Sequence, residues 1–424
     1  MLRRGKLTVA AGLTLALVVV GISLRSGGIL ALAIPFLMYT GAQLAPGLSR
    51  RGSDFLVTRR IERDRVEEGV PLHVTLNVEN RGRPLLLGLA ERIPAGLTVS
   101  DGETTALRPL RNGEKLTLDY TLAAPRGEHV LPGTTALAFG PLLMREAESF
   151  LPRESRVLVL PHAERLEKIE IRPRKTRVYS GSVRANVGGV GTDFFGCRDY
   201  APGDDVRRIN WRVYARRDAL VVNEYEQERI ADVGVILDAR DRVNLRLSQA
   251  DPFAYSVRAA ASLAIHFLEE GNRVGLLIYG DCLNWTYPAY GRVQRERILD
   301  ALASARTADK VVFEDLRYIP TRLFPSRSQL VVVSPLGDQD DVEVLGTLRA
   351  RGYQIILVAP DGFSLERPGE SPERDLARRI LRLKRALLLS TLAEIGVQVV
   401  DWNLTQPFAR AAARFLGRRG RRGR

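Results

Sequence analysis

Between Ala231 and Leu404 the chain repeats one pattern, a short aliphatic run followed by a longer stretch with helical spacing. Asp232-Val-Gly-Val-Ile-Leu-Asp238 is the first such run, and it ends on an aspartate. Arg273–Tyr279, Gln329–Val333, Tyr353–Val358 and Val397–Val400 supply the others. Phe253 to Glu270 lies between the first two, with Ala260, Leu263, Ala264 and Phe267 on one helical face. Runs this apolar are buried on both faces of a sheet, and alternation with helices makes the sheet parallel. A doubly wound α/β fold is therefore expected over 231–404, and its ligand crevice lies at the carboxyl ends of the strands.

The middle of the chain has another period. Val74-Thr-Leu-Asn-Val78 and Leu116-Thr-Leu-Asp-Tyr-Thr-Leu122 alternate apolar and polar residues, and Glu79-Asn-Arg-Gly82 and Pro125-Arg-Gly127 follow them as turns. Arg156-Val-Leu-Val-Leu160 closes the region. Short strands at this spacing predict an immunoglobulin-like β-sandwich over 53–161. No catalytic constellation falls within it.

Two uncharged runs precede it, Leu7–Leu24 and Ile29–Leu44, joined by a connector whose one charge is Arg25. Each approaches the ~20 residues of a spanning helix, so residues 1–50 read as a transmembrane helical hairpin. Arg3, Arg4 and Lys6 before the pair and Arg50, Arg51, Arg59 and Arg60 after it put both flanks on the cytoplasmic side. The expectation is a multi-pass protein of the inner or plasma membrane, both termini cytoplasmic and the bilayer a partner. A cleaved signal peptide ending at Ala31-Leu-Ala33 competes with it, but leaves the apolar Ile34–Tyr39 without a role. The two cysteines, Cys197 and Cys282, fit a reducing compartment better than a disulfide framework.

The densest block runs from Gly191 to Glu228. Ala201-Pro-Gly-Asp204 is a turn, and Asp204 or Asp205 is placed to cap a short helix through Ile209 and Trp211. Arg207, Arg208, Arg212, Arg216 and Arg217 balance Asp193, Asp199, Asp204, Asp205 and Asp218, so the block reads first as a loop braced by Arg–carboxylate pairs. The run Arg198-Asp-Tyr-Ala-Pro-Gly-Asp-Asp-Val-Arg-Arg-Ile-Asn-Trp211, with Ala215-Arg216 and Glu224, resembles the signature of the domain-of-unknown-function 58 family. The layout of membrane hairpin, β-sandwich, signature and von Willebrand A-like domain is similar to that family's over the full length. The resemblance implies a MoxR-type AAA+ ATPase and other membrane proteins as partners. It makes Gly191, Asp193, Phe194, Arg198, Asp199, Tyr200, Gly203, Asp204, Arg207, Ile209, Trp211, Arg216 and Glu224 the signature and partner-binding residues.

A von Willebrand A-like domain holds a divalent cation at the strand ends with Asp-x-Ser-x-Ser and more distant oxygens. Asp238-Ala-Arg-Asp-Arg242 keeps the aspartate but puts Arg240 and Arg242 where serines belong. A guanidinium donates and cannot ligate. Asp238, Ser334 and Asp338 are the oxygen donors of a degenerate site, so no cofactor is expected and Mg²⁺ is doubtful. The alternative is that Arg240 or Arg242 pairs with Asp338 and replaces the cation.

With 63 Lys and Arg against 49 Asp and Glu, the net charge of +14 favours a polyanionic neighbour. The basic tail Arg418, Arg419, Arg421, Arg422 and Arg424 fits an anionic membrane surface. Without interleaved aromatics it is a weak candidate for nucleic acid, and none is expected as a partner. Residues 162–230 form a linker and signature segment, and 405–424 a terminal helix and tail. There is no P-loop and no nucleophile–base pair. The expected function is that of a non-enzymatic adaptor working with an AAA+ ATPase. A hydrolytic or phosphoryl enzyme using the Asp and Arg cluster, or a basic membrane-associated nucleic-acid binder, are the alternatives. The sequence does not indicate an oligomeric state.

Overall fold

The computed structural model describes residues 2–44, 55–82, 85–139, 146–167, 169, 176–244, 251–280, 283–308, 323–325, 328–337, 339–365 and 371–417. It divides into two compact units at Leu158/Val159.

The first unit opens with α1 (Leu2–Ser23) and α2 (Gly27–Leu44), turned at Arg25 in the left-handed region. The two helices pack closely at Gly21, where a Cβ would stand 2.9 Å from the Leu30 side chain. Among the described residues no helix is long and apolar enough to cross a membrane. This overturns the expected transmembrane hairpin and the multi-pass membrane location with cytoplasmic termini. The reason is length. In α1 the first turns hold Arg3, Arg4 and Lys6, which leaves roughly 17 residues, about 25 Å at ~1.5 Å each. α2 has 18 residues with Pro35 inside it and Gly27, Gly28, Gly41 and Gln43 toward its ends. A hydrocarbon core of ~30 Å asks for more.

Two antiparallel sheets follow. One has the order β1 (Phe55–Ile61), β3 (Leu72–Asn80), β7 (Lys115–Ala123), β5 (Thr98–Gly102). The other has the order β2 (Arg65–Glu67), β9 (Glu146–Leu160), β8 (Gly127–Phe139), β4 (Leu85–Glu91), β6 (Thr105–Leu110). Alternate residues of β3 and β7 are buried, Leu76, Val78, Leu118 and Leu122 among them, as period-two patterning requires. Arg59 of the first sheet and Glu91 of the second form a buried ion pair, and Arg59 also donates to the Leu131 carbonyl at 2.9 Å. Burial raises the Glu91 carboxyl above its ordinary value, against the lowering effect of the Thr134 hydroxyl and Arg59.

The second unit is built on a mixed sheet. Its elements are β10 (Thr176–Asp199), α3 (Trp211–Arg217), β11 (Val221–Asp238), α4 (Pro252–Glu269), β12 (Arg273–Tyr279), β13 (Leu283–Ala289), α5 (Gly291–Ala303), β14 (Gln329–Val333), α6 (Gln339–Ala350), β15 (Gln354–Asp361), α7 (Pro372–Glu394), β16 (Gln398–Asn403) and α8 (Phe408–Leu416). β12, β11, β14, β15 and β16 run parallel in that spatial order, with β13 antiparallel on the β12 edge. Val233, Val235 and Leu237 face α4, α5 and α8 in one core, while Ile236 and Val332 face α6 and α7 in the other. The helices after β11 and β14 thus lie on opposite faces. That arrangement opens a crevice at the carboxyl ends of these two strands.

Within 162–230, expected as a linker and signature segment, β10 and the first part of β11 are strand. β10 pairs antiparallel with β11 from Thr176↔Ala231 to Asp199↔Val221, interrupted by four register shifts.

Candidate functional site

The signature block closes the β10–β11 ribbon. Ala201-Pro-Gly-Asp204 forms a tight turn in which the Asp204 amide donates to the Ala201 carbonyl at 3.1 Å. Gly203 takes the positive φ of 106° that the third turn position needs. Arg198, at the end of β10, ties three segments together. Its two terminal nitrogens donate to both Asp204 oxygens at 2.7 and 2.6 Å, and its Nε donates to Glu224 of β11 at 2.9 Å. Planar, bidentate pairing of this kind is what arginine does and lysine cannot. The Arg198 hydrogen bonds, with one from the Ala201 amide, hold the Asp204 carboxyl down at about 2. Its bonds to Asp204, and then to Glu224, raise Arg198 above its ordinary range.

After the turn, Asp205 caps a single 3₁₀ turn, Val206–Arg208, by accepting from the Arg207 amide. Ile209, expected in a helix, instead bridges to Val222 and is buried. The helix begins after Asn210, whose side chain accepts from the Val213 amide at 3.1 Å and donates to Asn223 at 2.8 Å. α3 then ends at Asp218 in the left-handed region. The block is therefore a folded platform that buries Ile209 and Val222 and leaves several other apolar side chains exposed. Phe194 is 61% exposed and Trp211 57%, with Val206, Tyr214 and Leu220 also exposed. Trp211 and Tyr214 meet edge to face at 6.1 Å.

Of the other signature residues, Asp199, Arg207 and Arg216 are exposed and Tyr200 is half-buried. The Tyr200 amide donates to Leu220 across the ribbon end. Gly191 and Asp193 lie in β10 between the Gly189 and Phe194 pairings, where the register shifts.

The second site is the crevice at the strand ends. Asp238 closes β11 and Ser334 follows β14, and both are wholly buried. The Arg240 guanidinium fills the space between the strands. Its Nε donates to Asp238 Oδ1 at 2.8 Å, and one terminal nitrogen donates to Asp238 Oδ2 at 2.6 Å and to Asp341 Oδ1 at 2.9 Å. Ser334 Oγ donates to Asp238 Oδ2 at 2.7 Å, and the Tyr279 ring lies 5.4 Å from the guanidinium carbon. Asn244 donates to the backbone carbonyls of Asp238 and Arg240, fixing the turn that delivers the arginine. Burial raises the Asp341 carboxyl, with Arg240 pulling the other way. Burial also works against the Arg240 charge, but Asp238 and Asp341 outweigh it and hold that charge firmly in place.

These residues do not fit a divalent cation. The Asp238 and Asp341 oxygens that would ligate it already accept from a resident guanidinium, and among the described residues no cluster of three or more acidic, His or Cys side chains is placed for a metal. Arg240 pairs with Asp238 and, as its second partner, with Asp341 of α6. Asp338, expected in that place, lies outside the described residues, as do Arg418, Arg419, Arg421, Arg422 and Arg424. The sequence reading missed Asp341, Asn244 and Tyr279. A signal for Asp341 was present in Asp340-Asp341 at the start of a helical stretch.

The family model described as "Protein of unknown function DUF58" matches residues 196–365, from the signature block through β15. The uncharacterized protein YeaD of Bacillus subtilis is 25% identical over 255 residues, covering 58% of this chain. The chain spans 60% of that relative's own length. An uncharacterized protein of Mycobacterium tuberculosis is 27% identical over 261 residues, 60% of this chain and 78% of its own length. Among solved structures, the conserved hypothetical protein BatB of Bacteroides thetaiotaomicron covers 31% of this chain and 66% of itself, at 13% identity and a TM-score of 0.25. An aerotolerance-related membrane protein of Bacteroides fragilis covers 44% of this chain and 98% of itself, at 12% identity and a TM-score of 0.29. Scores this low carry no argument about fold or function.

Proposed function

We propose that the protein is an adaptor that docks a protein partner on the platform closing the β10–β11 ribbon, and that the partner is a MoxR-type AAA+ ATPase. The observation that supports this reading is Trp211. A large aromatic ring stands 57% exposed on a turn-and-helix unit whose geometry is held by Arg198, Asp204 and Asn210. Preorganised aromatics beside arginines are the residues that dominate protein interfaces. The chain spends a three-way ion pair on fixing this platform, while its sheet crevice is closed by its own Arg240. We read the α/β domain as von Willebrand A-like on its strand order and on the Asp238–Ser334 pairing at the crevice.

Biolayer interferometry between the purified full chain and a MoxR-type ATPase tests the proposal. Saturable binding is expected, weakened at least tenfold in W211A with an unchanged melting temperature. Binding that is absent, or indifferent to W211A and F194A, overturns it.

A further inference from the structure

A second surface stands apart from the signature platform, on α7. The helix is tied down along one side. Leu388, Leu389 and Leu392 enter the core under the sheet, Arg385 donates to the Ala359 carbonyl at 2.7 Å and pairs with Asp401 at 2.7 Å, and Arg382 donates to the Phe363 carbonyl at 2.9 Å. The opposite side carries Leu376, Ile380, Leu383 and Leu387, which are 60%, 56%, 62% and 69% exposed. Their spacing of four, three and four residues is a heptad seam, with Leu at d and Ile at the first a position. At 3.6 residues per turn they form one stripe of about three turns, roughly 17 Å long. A run of leucines this exposed on an ordered helix marks an interaction face.

The charges beside the stripe say what covers it. Arg379 and Lys384 occupy the g and e positions, about 70° to either side of the seam at 3.6 residues per turn, and both are exposed. Ala377 and Ala386 complete the flanks and leave room for a second helix. In a parallel pair of identical helices g meets e′ of the partner, which sets Arg379 against Lys384. In an antiparallel pair over the full stripe g meets g′ and e meets e′, which sets Arg379 against Ala386 and Lys384 against Ala377 and forms no ion pair. Like charges at these positions reject a partner, and opposite charges select one. A second copy of this chain gains no ion pair in either orientation, whereas an acidic helix gains them in both.

We propose that the α7 stripe is a docking groove for an acidic amphipathic helix of another protein, with leucine or isoleucine at a and d and glutamate or aspartate at e and g. The chain's net charge of +14 steers such a helix toward it. This binding is independent of Trp211 and goes beyond the adaptor role assigned to the signature platform.

The test uses a fluorescein-labelled peptide of three heptads, Ile at a, Leu at d and Glu at e and g, titrated with the full chain while anisotropy is read. Its own glutamates keep the peptide from self-pairing. Saturable binding is expected, at least tenfold tighter than for the same peptide with Lys at e and g. R379E with K384E is expected to reverse that preference, and L383D with L387D to abolish binding while leaving the melting temperature unchanged. Equal binding of the two peptides, or no saturable binding, overturns the proposal. So does binding of α7 to phosphatidylglycerol vesicles without binding to the peptide, or self-association on sedimentation that L383D removes. Loss of ATPase binding in W211A leaves this result untouched, so the two readings fail separately.

Discussion

Arg240 grips both carboxylate oxygens of Asp238, through Nε at 2.8 Å and a terminal nitrogen at 2.6 Å, and the same nitrogen reaches Asp341 on α6 at 2.9 Å. All three side chains are buried. One guanidinium thus joins the end of β11 to the first turn of α6 across the crevice where a doubly wound sheet ordinarily takes a ligand.

Removing that guanidinium leaves two buried carboxylates facing each other. R240A is expected to cost about 3–5 kcal/mol of stability, as for other buried pairs broken from one side. R240S leaves the same carboxylates but adds a hydroxyl beside Ser334, so the vacated space becomes an oxygen cradle for Mg²⁺. Thermal melts with and without MgCl₂ check this. The melting temperature of R240S is expected to rise with Mg²⁺ while that of the wild type stays still, and a wild type that responds equally would sink the internal-cation reading.

Much of the α/β unit is legible in the sequence, and the reason is burial on two faces. β12, β14 and β15 are near-continuous aliphatic runs, which leave few other ways to fold. β13 escaped notice because Leu-Asn-Trp-Thr-Tyr-Pro-Ala is an edge strand, with Pro288 tolerated only there. The β10–β11 ribbon was hidden by its bulges, since each register shift breaks the alternation a strand reading depends on. The N-terminal runs misled in the opposite sense. Hydropathy marked them correctly as helices but did not measure their span, and basic first turns in α1 and a shorter, proline-containing α2 leave each of them too short. At the site, Asp238 and its arginine neighbour are legible in the sequence, whereas Asp341 on the first turn of α6 belongs to no motif and is marked only by the pair Asp340-Asp341, and Asp338 lies outside the described residues.

The Arg198–Asp204 pair makes a pH prediction. The folded carboxyl titrates at about 2, below its model-peptide value of 3.8, chiefly because Arg198 hydrogen-bonds it. A lowered folded value means that the pair's contribution is present above 3.8 and is lost as pH falls toward 2. Carboxyl chemical shifts followed by NMR are expected to place Asp204 near that low value in the wild type. R198K, which keeps the charge but loses the bidentate fork, is expected to move it back up toward 3.8. An unchanged titration in R198K would show that the Ala201 amide alone holds it down.

Glu91 moves the other way. Its folded carboxyl is raised from 4.5 by burial, so the folded state holds its proton to higher pH than the unfolded chain does. By linkage, the stability this group contributes is fully present below 4.5 and declines as pH rises through the raised value. E91Q removes that titration while keeping an acceptor for Thr134 and Arg59. The wild type is expected to lose more stability than E91Q between pH 4.5 and neutrality, measured by urea denaturation of the first unit's transition. Parallel pH profiles for the two proteins would refute the assignment.

Gly234 tests the packing on the other side of the sheet. It sits in the middle of β11, and a Cβ built there would stand 2.6 Å from the Phe324 ring. Phe324 is itself 1% exposed, held in the core with Leu330, Val332 and Leu345. A buried ring has no open space to swing into, so the methyl forces either the ring or the strand aside. G234A is expected to destabilise the second unit by about 1–3 kcal/mol, the range for overpacked cores. Replacing Phe324 with Leu in the same chain removes the edge of the ring that clashes. The double variant is expected to be more stable than the sum of the two single losses, because the residues share one space. Chemical denaturation of the four proteins measures that coupling, and simple additivity would mean that Gly234 is there for the backbone and not for the ring.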